Sequence, residues 1–340
     1  MRADKKLTPF VTNHQFYIMN CLVHFIFVLS LINCIHGAKL IVATGFTEKD
    51  GFVKTTEVID LDNANSKCLP WADSPVGVQS AVGGMVNDGF LLCGGSSFMG
   101  DSQQCHLITP IMAEQTVGLT YASFDSSVVV LDQERLFVIG GVNFEEGIEL
   151  NRTEYVSTLQ STLGPNLPQD LLVQYCAHKI DEDTVMVIGG KTSYFFSIKT
   201  EKWRKGPDFQ KSRSVHSCGS FKLNNHVVSI AAGGDYSDEA SDGAIVELLV
   251  HLDCEESVWI EGPRLPYATD FGFKRQIVFN EDELFFVDGY TNLILKLVCE
   301  NDDVASCHWK ELEQKLDIPR LGSVMALIPE EFASCTTTEF

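Results

Sequence analysis

Positive charge is what this chain most lacks: 25 lysines and arginines stand against 46 aspartates and glutamates, a formal net charge of −21 over 340 residues. Nucleic-acid affinity rests largely on Lys and Arg neutralising phosphates, so a nucleic-acid partner is not expected, and anionic membrane surfaces are disfavoured for the same reason. Metal motifs are missing too. There is no Cys-x-x-Cys and no closely paired Cys/His set of the kind a structural zinc site uses. The nine histidines form no His-Glu-x-x-His, and no Gly-x-Ser-x-Gly elbow is present, so neither a zinc-protease helix nor a serine-hydrolase nucleophile is legible. Asp235, Asp238, Glu239 and Asp242 crowd one loop but lack EF-hand spacing. No cofactor and no catalytic residue is assigned.

A long apolar run is also absent. The strongest stretch, Cys21 to Ile32, is about a dozen residues, whereas a membrane span needs roughly 20. It follows Arg2, Lys5 and Lys6 and precedes the small residues Gly37 and Ala38, which together are the parts of a secretory signal. Residues 1–37 are therefore read as a signal peptide cleaved near Gly37, and the protein as secreted, with no stable membrane insertion after cleavage. The alternative is an uncleaved type II signal anchor from Ile18 to Ile35, which would place Asn20, His24 and Asn33 at membrane depth.

What the chain does have is a repeat. Phe90 to Cys93 ends in Gly94-Gly95, Leu136 to Ile139 in Gly140-Gly141, Val185 to Ile188 in Gly189-Gly190, and Val228 to Ala232 in Gly233-Gly234. Imperfect copies end at Gly45 and Gly289. Second-glycine positions are 45, 95, 141, 190, 234 and 289, a period near 50. Within a period the pieces recur in order. In the fifth, Val215 to Leu223 reads as a strand, Asn224-Asn225 as a turn, Val227 to Ala232 as a second strand, Ala244 to Leu252 as a third, and Trp259 sits in a fourth before Gly262-Pro263. Four strands per unit repeated radially is propeller construction.

The apolar run with its glycine doublet, followed by a tryptophan-bearing strand and Gly-Pro, resembles the kelch repeat. The resemblance covers nearly all of residues 39–329, although the second and third units have no tryptophan. It implies an all-β, six-bladed kelch-type propeller over residues 38–329, followed by a C-terminal tail at 330–340. The chain begins its first unit at a doublet strand and carries a spare apolar stretch, Gly322 to Ile328, at its end; this strand is expected to join the first blade and close the ring.

The doublet glycines are read as structural, because they lack the strand–loop–helix context of a phosphate site. Asn151-Arg152-Thr153 is the only N-glycosylation sequon, and Asn151 the candidate glycan acceptor. Once Cys21 and Cys34 leave with the signal, the eleven cysteines fall to an odd number. Cys299 and Cys307 flank a turn in the sixth blade and form a candidate hairpin disulfide; Cys176 and Cys218 occupy equivalent first strands of neighbouring blades, as buried thiols or an inter-blade link. Lys202, Arg204, Lys205, Lys211 and Arg213 are the one basic cluster and a possible binding patch. The expected function is a binding module for an extracellular protein or a glycan. The alternative implied by the resemblance is a propeller enzyme acting on sugars, similar to copper-radical oxidases or sialic-acid mutarotases.

Overall fold

The glycine-ended runs are apolar at every position because both faces of each are covered. In the first such strand, Leu40 and Val42 face one neighbouring blade while Ile41 and Ala43 face the other. The computed structural model describes residues 37–87, 89–143, 148–168, 175–236, 243–252, 257–269, 276–301 and 303–337. The signal reading, Asp238, Glu239, Asp242 and Cys254 lie outside the described residues.

The fold is a six-bladed β-propeller. From axis to rim, blade 2 is Val82–Val86, Gly89–Cys93, Cys105–Ile108 and Ala113–Gln115, and blade 3 is Ser127–Val130, Leu136–Ile139, Thr153–Val156 and Ser161–Leu163. Blade 4 is Cys176–Lys179, Thr184–Gly189, Thr192–Ser197 and Lys202–Lys205. Blade 5 is Ser217–Leu223, His226–Ala232, Val246–Val250 and Trp259–Glu261, and blade 6 is Gln276–Phe279, Leu284–Asp288, Leu293–Val298 and His308–Lys315. Asn224 and Asn225, both with positive φ (50° and 65°), turn the blade 5 hairpin as the sequence predicts.

Blade 1 is assembled from both ends of the chain. Val324–Ile328 is its innermost strand, antiparallel to Lys39–Ala43, with Lys39 opposite Ile328 and Ala43 opposite Val324. Thr56–Asp60 follows, and then Ser66–Cys68, which pairs with Cys335–Thr337 at the rim. The C-terminal segment thus holds blade 1 from both sides, and the expected closure by a C-terminal strand is observed. The inner strand of each blade neighbours that of the next around the whole ring, so no blade face is left open.

The core is divided accordingly. Six buried hydrophobic clusters lie among the described residues, one at each seam between adjacent blades. Stitches at the seams explain the repeat's signature residues. The Gly45 and Gly95 amides donate to Val78 and Ser123 carbonyls in the segment leading into the next blade, each at 2.8 Å. Gly94 and Gly95 have φ of +70° and +88°, and a Cβ would lie 2.6 Å from Ser123 O and 2.8 Å from Gln79 O respectively. Only glycine meets both conditions there. At the rim, the Trp259 and Trp309 indoles donate to the Pro207 and Pro263 carbonyls of the preceding blade's Gly-Pro, at 3.2 and 2.8 Å. Trp71 does the same to Phe332 O at 3.1 Å, which ties blade 1 to the C-terminal segment.

Four disulfides reinforce this frame. Cys299–Cys307 closes the blade 6 hairpin as expected, and Cys176–Cys218 is the inter-blade link rather than a pair of thiols. Two others were not foreseen: Cys93–Cys105, across neighbouring strands of blade 2, and Cys68–Cys335, which locks the rim of blade 1.

Candidate binding surface and axial channel

Strand direction decides which loops meet. In each blade, the segment leading to the inner strand, the loop between the second and third strands, and the exit from the fourth strand emerge at one end of the ring; the tight turns emerge at the other. Four of the loops on this first face are built up by short ribbons: Phe46–Thr47 with Gly51–Phe52, Ser96–Ser97 with Gly100–Asp101, Val142–Asn143 with Ile148–Glu149, and Arg213–Ser214 with Asp235–Tyr236.

The ribbons of blades 1 and 2 carry an apolar ridge. Phe46 packs edge-on against Phe52 at 5.4 Å between ring centroids, and Phe52 against Phe98 at 4.6 Å. Gly51 lies beside the Phe98 ring with a φ of +73°, a conformation that favours glycine. At the tip, Phe98 is 82% and Met99 93% exposed. Ser97 Oγ accepts from the Met99 amide at 3.1 Å, which shapes the tip. Nothing in the sequence separated this pair from core residues, since an apolar dipeptide beside a glycine doublet reads equally well as the end of a strand.

On blade 3 the same face carries Asn151, which is exposed, while Thr153 is buried with its hydroxyl donating to Pro165 O at 2.8 Å. Arg152 lies over the Tyr121 ring at 3.4 Å.

The basic cluster is split by the fold. Lys202, Arg204 and Lys205 lie on the exposed outer strand of blade 4, and Lys211 is exposed in the next segment. Arg204 covers the Phe195 ring at 4.1 Å, and Lys205 is 3.5 Å from Asp208. Arg213 does not belong to the patch. It is only 1% exposed and forms an ion pair with Glu247 inside blade 5.

Arg213 instead belongs to an internal latch that the sequence reading missed. Arg320 takes the equivalent place in blade 1, four residues before the inner strand, and pairs with Glu57 at 3.0 Å. Glu57 and Glu247 each hold the second position of their blade's third strand, and each also accepts from the backbone ahead of the arginine: Asp317 N at 2.7 Å and Gln210 N at 3.2 Å. Blade 3 keeps the carboxylate without the arginine: Glu154 accepts from the amide and hydroxyl of Thr120, both at 2.6 Å. Burial pushes the Glu57 carboxyl up, against the downward pull of Arg320. The recoverable signal was an arginine at one fixed distance before two inner strands.

The axis holds a cavity of about 470 Å³ lined by inner strands of all six blades. At its loop-face mouth, Ser80, Asp125, Val215 and Gly322 each sit two residues before an inner strand with positive φ (53°, 53°, 55° and 60°). Their backbones interlock: the Ser80 amide donates to Gly322 O at 2.7 Å, and the Asp125 amide to Ser80 O at 3.0 Å. These bonds tie the entries of blades 1, 2 and 3 together at the loop face; strained backbone of this kind persists only where its surroundings hold it. Deeper in, Cys176, His178 and Cys218 line the wall.

No known protein family matches this chain, and none of the curated proteins matches it.

Proposed function

We propose that this chain is a secreted kelch-type propeller that binds another extracellular protein through its loop face, at the ridge made by Phe52, Phe98 and Met99. The observation that carries the reading is the exposure of Phe98 and Met99 at the tip of a braced ribbon. Large apolar side chains held in water cost free energy, and Phe and Met are enriched where protein surfaces meet. The ridge offers apolar area rather than an array of directed hydrogen-bonding groups, which favours a protein over a glycan. The doublet and tryptophan stitches support the kelch assignment, and four disulfides fit an oxidising compartment. No helix among the described residues is long and apolar enough to cross a membrane. A glycan on Asn151 would stand over blade 3 and leave the ridge of blades 1 and 2 clear.

The test compares three immobilised proteins exposed to the secreted and surface proteins of the producing cells: the natural chain, a Phe98→Asp/Met99→Asp variant, and an Ile111→Asp/Leu159→Asp variant altered at exposed residues of the opposite face. The reading expects a protein retained by the first and third and lost from the second. Retention that is indifferent to the Phe98/Met99 change would overturn it.

A further inference from the structure

The disulfide at the axis has an unusual neighbourhood. Cys176 and Cys218 join the inner strands of blades 4 and 5, with Cα atoms 5.8 Å apart; both are buried in the seam between these blades, at the wall of the channel. Behind the bond runs a line of polar atoms. His178 Nδ1 is 3.4 Å from Cys218 Sγ, His178 Nε2 is 2.7 Å from Ser229 Oγ, and Ser229 Oγ is 2.8 Å from His251 Nε2. His178 and Ser229 are buried, while His251 is partly exposed, beyond the third strand of blade 5 at the end opposite the loop face.

A serine hydroxyl has one proton and two lone pairs, so Ser229 can donate to one imidazole while accepting from the other. With Ser229 donating to His178 Nε2, the His178 Nδ1–H points at sulfur and the His251 Nε2–H points at Ser229. A proton taken up at His251 Nδ1 can then move the whole line by one step, each ring changing tautomer and none becoming charged. Burial favours this mode of transfer, since it holds both rings neutral, pushing His178 down to about 3 and His251 to about 4.

We infer that Cys176–Cys218 is a thiol-exchange site, reached through the channel by a small dithiol, with His178, Ser229 and His251 delivering the proton that the departing sulfur requires. A thiolate of the dithiol attacks Cys176 Sγ. A mixed disulfide forms there, the Cys176–Cys218 bond breaks, and the electron pair leaves on Cys218. A buried thiolate is costly. His178 Nδ1 gives it a proton, Ser229 reprotonates His178 at Nε2, His251 Nε2 reprotonates Ser229, and water supplies His251 Nδ1. The reagent's second sulfur, as thiolate, then attacks its first. This closes the oxidised reagent and releases Cys176, which takes a proton from channel water. The protein gains two electrons and two protons, the dithiol loses the same, and the axial bond between blades 4 and 5 opens.

The test applies dithiothreitol to the folded, full secreted chain, with timed alkylation and peptide mapping of each disulfide. In the natural chain Cys176–Cys218 opens while the fold persists. Ser229→Ala and His178→Phe slow this opening by roughly a hundredfold, the lower end of what a positioned proton donor contributes. The rate at Cys68–Cys335, remote from the line, stays unchanged. Opening only on global unfolding, or equal rates in the natural chain and both variants, overturns the inference. A variant that merely misfolds betrays itself by accelerating Cys68–Cys335 as well, and Ser229→Ala, which removes one oxygen, guards against that outcome for His178→Phe.

Discussion

The seam where the chain's two ends meet in blade 1 and the seam between blades 4 and 5 share the same noncovalent parts. Each has an arginine four residues before an inner strand, paired with a glutamate at the second position of a third strand: Arg320 with Glu57, and Arg213 with Glu247. Each glutamate also accepts a backbone N–H from the incoming segment, and each seam has a rim indole donating to a carbonyl. The covalent parts differ. In blade 1 the disulfide sits at the rim and joins residues 267 apart in sequence; between blades 4 and 5 it sits at the axis and joins residues 42 apart. The latch therefore sets blade geometry in both places, whereas the disulfide answers a local need. At the rim of blade 1 it ties down a chain end whose loss would open the ring. At the axis, where the backbone is continuous, it stands against a buried imidazole.

The largest effect that probes this equivalence is removal of the latch carboxylates. Glu57→Ala and Glu247→Ala each strand a buried arginine and should each cost ~3–5 kcal/mol in denaturant unfolding. Similar losses would sustain the shared role, and a loss confined to one seam would break it. Glu154→Ala, which strands the Thr120 amide and hydroxyl and the Ser161 hydroxyl but no charged partner, should cost less, ~1–3 kcal/mol.

A smaller effect separates the seams by sign. The unfolded chain takes up protons on His178 and His251 as pH falls through the ordinary histidine value of 6.5, but the folded chain does so only near 3 and 4. Their contribution to stability is therefore complete above pH 6.5 and is lost as pH falls toward 4, by up to ~1.4 kcal/mol per pH unit for each ring. At the closure seam the raised Glu57 carboxyl acts in the opposite direction: its burial cost is present at neutral pH and relieved by acid. His178→Phe should flatten the acid-side loss by one ring's share. An unchanged slope between pH 6.5 and 4 would mean that His178 does not make this contribution.

Much of the frame was legible because its signals are local and repeated. The doublets mark a place where each blade's backbone touches the next, Asn224-Asn225 supplies two positive φ values side by side, and the spare strand at Val324–Ile328 is an apolar run with nowhere else to pair. What was not legible depends on residues far apart in sequence. Arg213 sits among lysines along the chain, and only Glu247, brought across blade 5, turns it inward. Cys335 has a partner because three residues at the very end add a strand to the rim of blade 1. The candidate surface was the least legible part, since the exposure of Phe98 and Met99 comes from a two-residue ribbon lifting them off the blade. Hydrophobicity alone carries no sign of that.

The ring of six blades is clasped by the C-terminal segment. Peptide mapping of the secreted chain without reduction, after alkylation of any free thiols, reads this clasp out. A crosslinked peptide joining Cys68 to Cys335 and another joining Cys176 to Cys218 are expected. Cys335 found alkylated, or joined to a cysteine other than Cys68, would contradict the closure.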